Sequence, residues 1–467
     1  MKMTGGLEIH QRLDTKEKLF CRCRTTFSEK PLPLEIRRKL RAVAGETGEV
    51  DVAAQHEVSG GKEFIYKTYP TESCLICSDS EPPRPLNLEA LDISLEITLL
   101  LNCEIPDEIQ VMRKTVLDGS NTTGFQRTAV VGMNGWVEVS FGKVGIMLVA
   151  LEEEACQILK KEKNRTVFGL NRLGIPMVEI ATAPDIKTPE QAKEVAEKLG
   201  MILRSSRVQR GIGSIRQDVN VSVPGGERTE IKGFQNLKEM PRVIEGEVKR
   251  QLSLVKKGKK VERTVRKANP DGSTSFLRPL PGAARMYPET DVLPVKITKD
   301  IIDYKRKNLP ELLEKKQEKL TKELGIDSNL VKALEKAGKM ELFQQLPLKK
   351  TKPQFAATVL LSYPGEVKKR GGELGKVNAK QLTDVFEKLG KGEISKDMVI
   401  DSIVQTSLGK KPAPSKGKVD LEAEVHRLLK EKPGLSFGAY MGILMGKLRG
   451  QVSGEDISRA LKKGMKG

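Results

Sequence analysis

Apolar and polar positions change rhythm twice along the chain. Over residues 1–295, short alternating segments recur between glycines, which is the period of strands with one buried face. In Gly6–His10, Leu7 and Ile9 fall on one side and Glu8 and His10 on the other. Glu179 opposes Val178 and Ile180 in the same way. Arg216, Asp218 and Asn220 alternate with Val219 and Val221, and Glu230 and Lys232 share one face. Two helices interrupt the pattern. Thr188, Pro189 and Gln191 supply an N-cap, a first-turn proline and a capping-box partner for a helix through Ala192, Val195, Ala196 and Leu199, closing near Gly200. A second covers about Leu237–Lys256.

From about Lys299 to Ser407 the spacing becomes helical. Ile301, Ile302, Leu309, Leu312, Leu313, Leu320 and Leu324 recur at helical intervals, and Leu330, Leu334, Leu342, Phe343 and Leu346 continue them. Residues 409–418, GKKPAPSKGK, carry the composition of a flexible linker. The expected architecture is α+β: a large mixed or antiparallel-sheet domain over 1–295, a helical domain over 296–408, the linker, and a small basic helical tail over 419–467.

If the alternating strands belong to one sheet, its polar face gathers carboxylates, a histidine, an arginine and a lysine. An ordinary half-buried sheet with a solvated outer face gives the same pattern. Two details bear on the choice. His10 is one of three histidines, and a near-neutral ligand beside carboxylates suits a divalent metal. The acidic run Leu151–Glu154 also falls inside this domain. No Walker A sequence, dinucleotide-binding glycine loop or HExxH is present. Asp118–Gly124 is polar and contains glycines, so it is either a phosphate-cradling loop or a plain turn.

Charge adds a partner. The chain holds 81 Lys+Arg against 62 Asp+Glu, a net +19, and residues 409–467 alone hold 13 against 6. Such an excess favours a polyanion through counterion release, or serves solubility. Aromatic content of 4% and a single tryptophan argue against a stacking platform for single strands, so structured RNA fits better. No apolar run approaches the roughly 18 residues of a membrane span, and the N-terminus has no apolar signal region. A cytoplasmic protein without membrane contact is expected. Among six cysteines, Cys21 and Cys23 form a Cys-x-Cys pair, and Cys74 and Cys77 a Cys-x-x-Cys pair. That is either ligand spacing for a structural zinc or two unrelated pairs.

Six ordered segments carry a resemblance: GLEIHQRLDTKEKLFCRC, DGSNTTGFQRT, LNRLGIPMVEIATAPDI, GSIRQDVNVSV, EIKGFQNL and PGAARMYPETD. Together they resemble the archaeal E-subunit family of glutamyl-tRNA(Gln) amidotransferases, and more loosely the related B subunits. The resemblance covers nearly the whole chain. It implies a catalytic cradle in which ATP activates the glutamate of misacylated tRNA(Gln) and ammonia from an asparaginase-like D subunit completes the amide. It implies Mg2+ on His10, Glu153 and Glu179 with Glu8. Arg216, Asp218, Asn220 and Lys232 would line the same cradle as catalytic residues, and Ser120, Asn121 and Gln126 would contact ATP or the glutamyl group. In the tail, Lys447, Arg449, Arg459, Lys462 and Lys463 would grip tRNA phosphates.

Three features depart from the family. The acidic run ends in Glu154 where aspartate is usual. Cysteines at these positions are patchy in the family. A synthetase-like domain that this family usually inserts after the second helix is missing, and only a short stretch separates Lys256 from RKANPDGSTSF. Two function classes follow: the catalytic amidotransferase subunit, or a non-catalytic tRNA-binding or assembly protein of the same family. Intact Glu8, His10, Glu153, Glu179 and Lys232 favour the first.

Overall fold

The computed structural model describes residues 3–28, 30–41, 48, 61–234, 236–280, 286–410, 420–448 and 454–465. Arg449, residues 411–418 of the expected linker and the PGAAR segment lie outside this range. The chain divides into two compact units, Met1–Leu313 and Glu314–Gly467.

The first unit is built on a ten-stranded sheet. At its centre, Thr4–Arg12 pairs antiparallel with Pro176–Thr182 on one side and with Ile215–Ser222 on the other. Beyond Pro176–Thr182 follow Gly142–Glu153, Phe125–Val139, Val111–Thr115 and Met286–Pro288. Beyond Ile215–Ser222 follow Thr229–Lys232, Thr264–Ala268 and Thr274–Pro279. All pairs are antiparallel except Thr229–Lys232 with Thr264–Ala268, so the sheet is mixed as expected.

One face of this sheet is dry. Leu7, Ile9, Val178, Ile180, Val219, Val221 and Ile231 form a buried core with the helices Leu88–Leu100, Pro189–Ser205 and Met240–Lys256. Burying each such side chain contributes about 1.5–3 kcal/mol, and this sum fixes the strand register that sends the alternate residues to the opposite face.

Two helices meet expectation at their starts. Thr188 and Gln191 form the capping box. Leu237–Glu239 is a short 3-10 turn before Met240–Lys256. The first helix does not close at Gly200 but continues to Ser205, because Ile202 and Leu203 extend the buried stripe. That gain exceeds the roughly 1 kcal/mol cost of an interior glycine. The helix Leu88–Leu100 is not among the expected elements. It is apolar on most sides, so its periodic signal is only the narrow stripe Glu89, Asp92 and Glu96; Asn87 caps it by accepting from the amides of Glu89 and Ala90. The unit continues past residue 295 because Lys299–Lys307 packs on Leu88–Leu100, with Ile302 and Leu312 against the core and Lys305 paired to Asp92.

A four-stranded sheet of Glu35–Arg38, Glu63–Lys67, Arg165–Gly169 and Gln157–Lys161 forms a side lobe of the first unit. Its small core contains Phe64, Tyr66, Phe168 and Leu170 together with Cys21, Cys23 and Cys77.

Every regular element among the described residues of the second unit is a helix, which completes the expected α+β class. Val331, Leu334, Phe343, Val359, Leu360, Phe386, Val399 and Ile403 form one core. The helices Leu421–Glu431, Phe437–Lys447 and Gly454–Gly464 form another around Val425, Tyr440, Leu444, Ile457 and Leu461. Among the described residues no helix is long and apolar enough to cross a membrane.

Candidate active site

The face of the ten-stranded sheet opposite the helices collects the polar positions. Register explains why. His10 stands opposite both Glu179 and Arg216, and Glu8 stands opposite Asp218. Asn220 is paired with Glu230, and Lys114 with Gln126. Residues 169 positions apart therefore become neighbours across a single strand spacing: His10 Nε2 lies 3.2 Å from Glu179 Oε2.

Two clusters flank the central strand. In the first, one ligand atom each from His10, Glu152 and Glu179 falls within 4.8 Å of the others. The ammonium of Lys114 donates to Glu152 and lies 3.4 Å from Glu179 Oε2. Thr128 Oγ1 and Gln126 Nε2 donate to Glu152 at 2.9 and 3.1 Å. In the second, oxygens of Glu8, Asp218 and Glu230 gather within 4.8 Å. Lys232 Nζ bonds Asp218 at 2.6 Å and also meets Glu230, while Asn220 Nδ2 donates to Glu8 at 3.0 Å.

Crowded carboxylates perturb one another here. Burial opposes a charge on His10, but the hydrogen bond and charge of Glu179, with Glu152 and Asp218, outweigh it and push the imidazole up. Burial and then the charge of Glu179 push Glu152 up. Burial alone would raise Glu179 too, yet the Lys114 charge and the His10 hydrogen bond hold it well below the usual carboxylate range. Burial, then Glu230 and Glu179, push Glu8 up. Such mutual repulsion is what a divalent cation relieves. Buried polar atoms without hydrogen-bond partners on this face include His10 Nδ1 and Asn220 Oδ1. This donor set fits a hard divalent ion with an oxygen-rich ligand.

The geometry groups side chains differently from the metal set that the resemblance implies. Glu153 does not join His10 and Glu179; Glu152 does. Glu179 is opposite Ala150, so strand alternation brings Glu152 to the His10 face and turns Glu153 away. Glu153 accepts instead from the Arg127 amide at 3.1 Å and lies 3.6 Å from its guanidinium. Glu8 belongs to the second cluster rather than the first. Glu154 holds Arg216 at 2.8 Å and Arg12 at 3.7 Å. Sequence reasoning misses Glu152 and Lys114. Ile146–Leu151 is apolar without alternation in sequence, although Met147 is exposed, which leaves the phase of Glu152–Glu154 unmarked. Gln126 and Thr128, two apart on one strand face, are the available signal.

The candidate nucleotide contacts divide. Gln126 stands on the polar face. Ser120 Oγ donates to Asn121 within their segment, and the Ser120 carbonyl accepts from the Cys156 amide at 2.8 Å. Buried Asn121 lines a small cavity with Lys18, Cys21, Cys77, Arg127 and Glu153.

The four cysteines converge. Cys77 Sγ lies 3.8 Å from Cys21, 3.9 Å from Cys74 and 4.0 Å from Cys23, and all are free thiols. A tetrahedron with zinc–sulfur bonds of about 2.3 Å has edges of roughly 3.8 Å, so this donor set fits zinc. Lys18, almost fully buried, donates to the carbonyls of Glu72 and Leu170 and lies 3.7 Å from Cys77 Sγ.

In the tail, two of the expected RNA contacts are engaged internally. Lys447 pairs with Glu424 at 2.5 Å and Lys463 with Glu422 at 2.9 Å. Arg459 is 80% exposed, 3.8 Å from Asp456, and Lys462 is exposed.

Residues 3–303 match the family model described as the GatB/GatE catalytic domain. The chain is 34% identical to the glutamyl-tRNA(Gln) amidotransferase E subunit of Methanocaldococcus jannaschii over 616 positions, covering 99% of this chain and 98% of that one. It is 34% identical to the protein of the same name from Archaeoglobus fulgidus (99% and 97%) and 32% identical to that of Sulfolobus acidocaldarius (99% and 97%). Against 467 residues here, 616 aligned positions leave roughly 150 of the first relative without a counterpart. In this chain only residues 257–263 join the helix Met240–Lys256 to the strand Thr264–Ala268. With the whole cradle matched and near-complete relatives above 30% identity, this chain belongs to the GatB/GatE family.

Proposed function

We propose that the polar sheet face activates the glutamate of misacylated Glu-tRNA(Gln) with ATP and converts it to the amide, giving Gln-tRNA(Gln). The observation that carries this reading is the convergence of His10, Glu152 and Glu179 on the face they share with Lys114 and Lys232.

The chemistry demands such a face. A carboxylate is a poor electrophile, and bringing it to a γ-phosphate sets anion against anion. A carboxylate oxygen takes the γ-phosphoryl group and ADP leaves; ammonia nitrogen then bonds the acyl carbon and phosphate leaves. His10, Glu152 and Glu179 would hold Mg2+, which when bound supplies charge to offset the repulsion. Asp218 and Glu230 fix Lys232, whose ammonium is directed along the face. Asn220 fixes Glu8, and Arg216 is positioned by Glu154 at the rim. Burial would lower Lys232, but Asp218 and Glu230 raise it, so it stays a cation on this face.

The relatives are named as subunits, so the assembly is proposed to be heteromeric and cytoplasmic. Ammonia would come from an asparaginase-like D subunit, and tRNA(Gln) would be held in part by the tail. Zinc would sit on Cys21, Cys23, Cys74 and Cys77 as a structural ion. Single-turnover conversion of Glu-tRNA(Gln) with ATP, Mg2+ and ammonium tests the reading, since ammonium replaces the partner.

A further inference from the structure

Lys114 is a buried cation whose part in the face is unassigned. Its ammonium donates to Glu152 Oε1 and lies 3.4 Å from Glu179 Oε2, the same oxygen that meets His10 Nε2 at 3.2 Å. It thus engages the two carboxylates that, with His10, form the cation-binding set. An ammonium and a divalent ion sharing those oxygens would stand about 4 Å apart, and like charges at that range repel strongly where water is scarce. Lysine carries its charge on a flexible four-carbon stem, so Nζ can leave without movement of the strand.

We propose that Lys114 and the divalent ion hold Glu152 and Glu179 in turn. When the ion takes the carboxylates, the ammonium is released from them and turns to the phosphates of the nucleotide that accompanies the ion. Lys114 is then a positioning residue before the ion arrives and a phosphate-binding residue afterwards. Metal and nucleotide binding are coupled through one side chain. The inference rests on the reading of His10, Glu152 and Glu179 as the metal set.

A permanent brace would act with the opposite sign: removing it would loosen the carboxylates and weaken the metal site. Mn2+ affinity, read by electron paramagnetic resonance on the full chain, separates the two. Lys114→Gln should tighten Mn2+ by about tenfold or more, and should weaken a non-hydrolysable ATP analogue with Mn2+ by about tenfold. Lys232→Gln, which removes the other lysine, should tighten Mn2+ much less. On the unmodified chain, Mn2+ should raise the reactivity of Lys114 toward an amine-acylating reagent, read by peptide mass spectrometry, so the test survives a variant that misfolds. Weaker or unchanged Mn2+ binding in Lys114→Gln overturns the exchange, as does equal tightening by both variants or a Lys114 that Mn2+ leaves protected. No Mn2+ binding by any of these proteins would overturn the metal reading itself, a distinct outcome.

Discussion

His10 Nε2 meets Glu179 Oε2 at 3.2 Å across one strand boundary, and Glu152 completes a ligand set within 4.8 Å. The dry side of the same strand, Leu7 and Ile9, is fully buried and keeps the register whatever stands at position 10. His10→Ala should therefore fold. Loss of an outer-shell partner already costs about 10–100-fold in metal affinity, so loss of this ligand should weaken Mn2+ by at least about 100-fold. Thermal unfolding should shift little. Unaltered Mn2+ binding would remove His10 from the set.

The cysteine cluster makes a separate prediction. Four sulfurs at tetrahedral edge distances should bring about one zinc per chain. Cys74→Ser should lose most of that zinc and lower the melting temperature, because the side-lobe core is small and three of the cysteines line it. Elemental analysis of the purified chain decides this. A variant retaining full zinc would contradict it.

Acid sensitivity should have one identifiable source in Glu247. Its carboxylate is buried and accepts from Arg250 at 2.8 and 2.6 Å, Thr274 at 2.6 Å and Gln251 at 3.0 Å. Burial would raise its pKa, but those hydrogen bonds lower it below 4.5. A depressed carboxylate stabilises above its unfolded pKa, so the contribution is complete at neutral pH and fades as pH falls below about 4.5 through the folded value. Glu247→Gln should cost roughly 2–3 kcal/mol at pH 7 in urea unfolding, and progressively less toward pH 3. An equal cost at both pH values would exclude an ionic role.

For the tail, deletion of residues 409–467 should weaken tRNA binding and flatten its salt dependence. Lys447 and Lys463 are held by Glu424 and Glu422, so Lys462 and Arg459 are the freer of the expected contacts that the structure describes. Two lost phosphate contacts should reduce the salt slope by about 1.4–1.8. A truncated chain with an unchanged slope would show that the tail does not grip RNA.

Much of the site can be read from strand alternation. Glu8, His10, Glu179, Arg216, Asp218, Asn220 and Lys232 are all marked by apolar neighbours on the other face, and the sheet brings them together. What alternation cannot give is phase where apolar residues stand on both faces. Through Ile146–Leu151 they run unbroken, and three glutamates follow, so pairing with the neighbouring strands decides that Glu152 faces His10. Lys114 is hidden for a related reason: a lysine in a short strand reads as a solvated edge until Glu152 and Glu179 are seen beside it. Helix Leu88–Leu100 shows a related limit, since an element buried on most sides keeps only the narrow polar stripe Glu89, Asp92 and Glu96 to mark its period.

His10, Glu152 and Glu179, and not Glu153, are proposed to form the activating centre. Single-turnover formation of Gln-tRNA(Gln) from Glu-tRNA(Gln), ATP, Mg2+ and ammonium tests it with three variants side by side. Glu179→Gln and Glu152→Gln should each lower the rate by at least about 100-fold, around 2.7 kcal/mol of barrier, without changing tRNA affinity. Glu153→Gln should stay within about tenfold of the unmodified chain. Near-normal rates for Glu152→Gln with activity lost in Glu153→Gln would contradict this assignment.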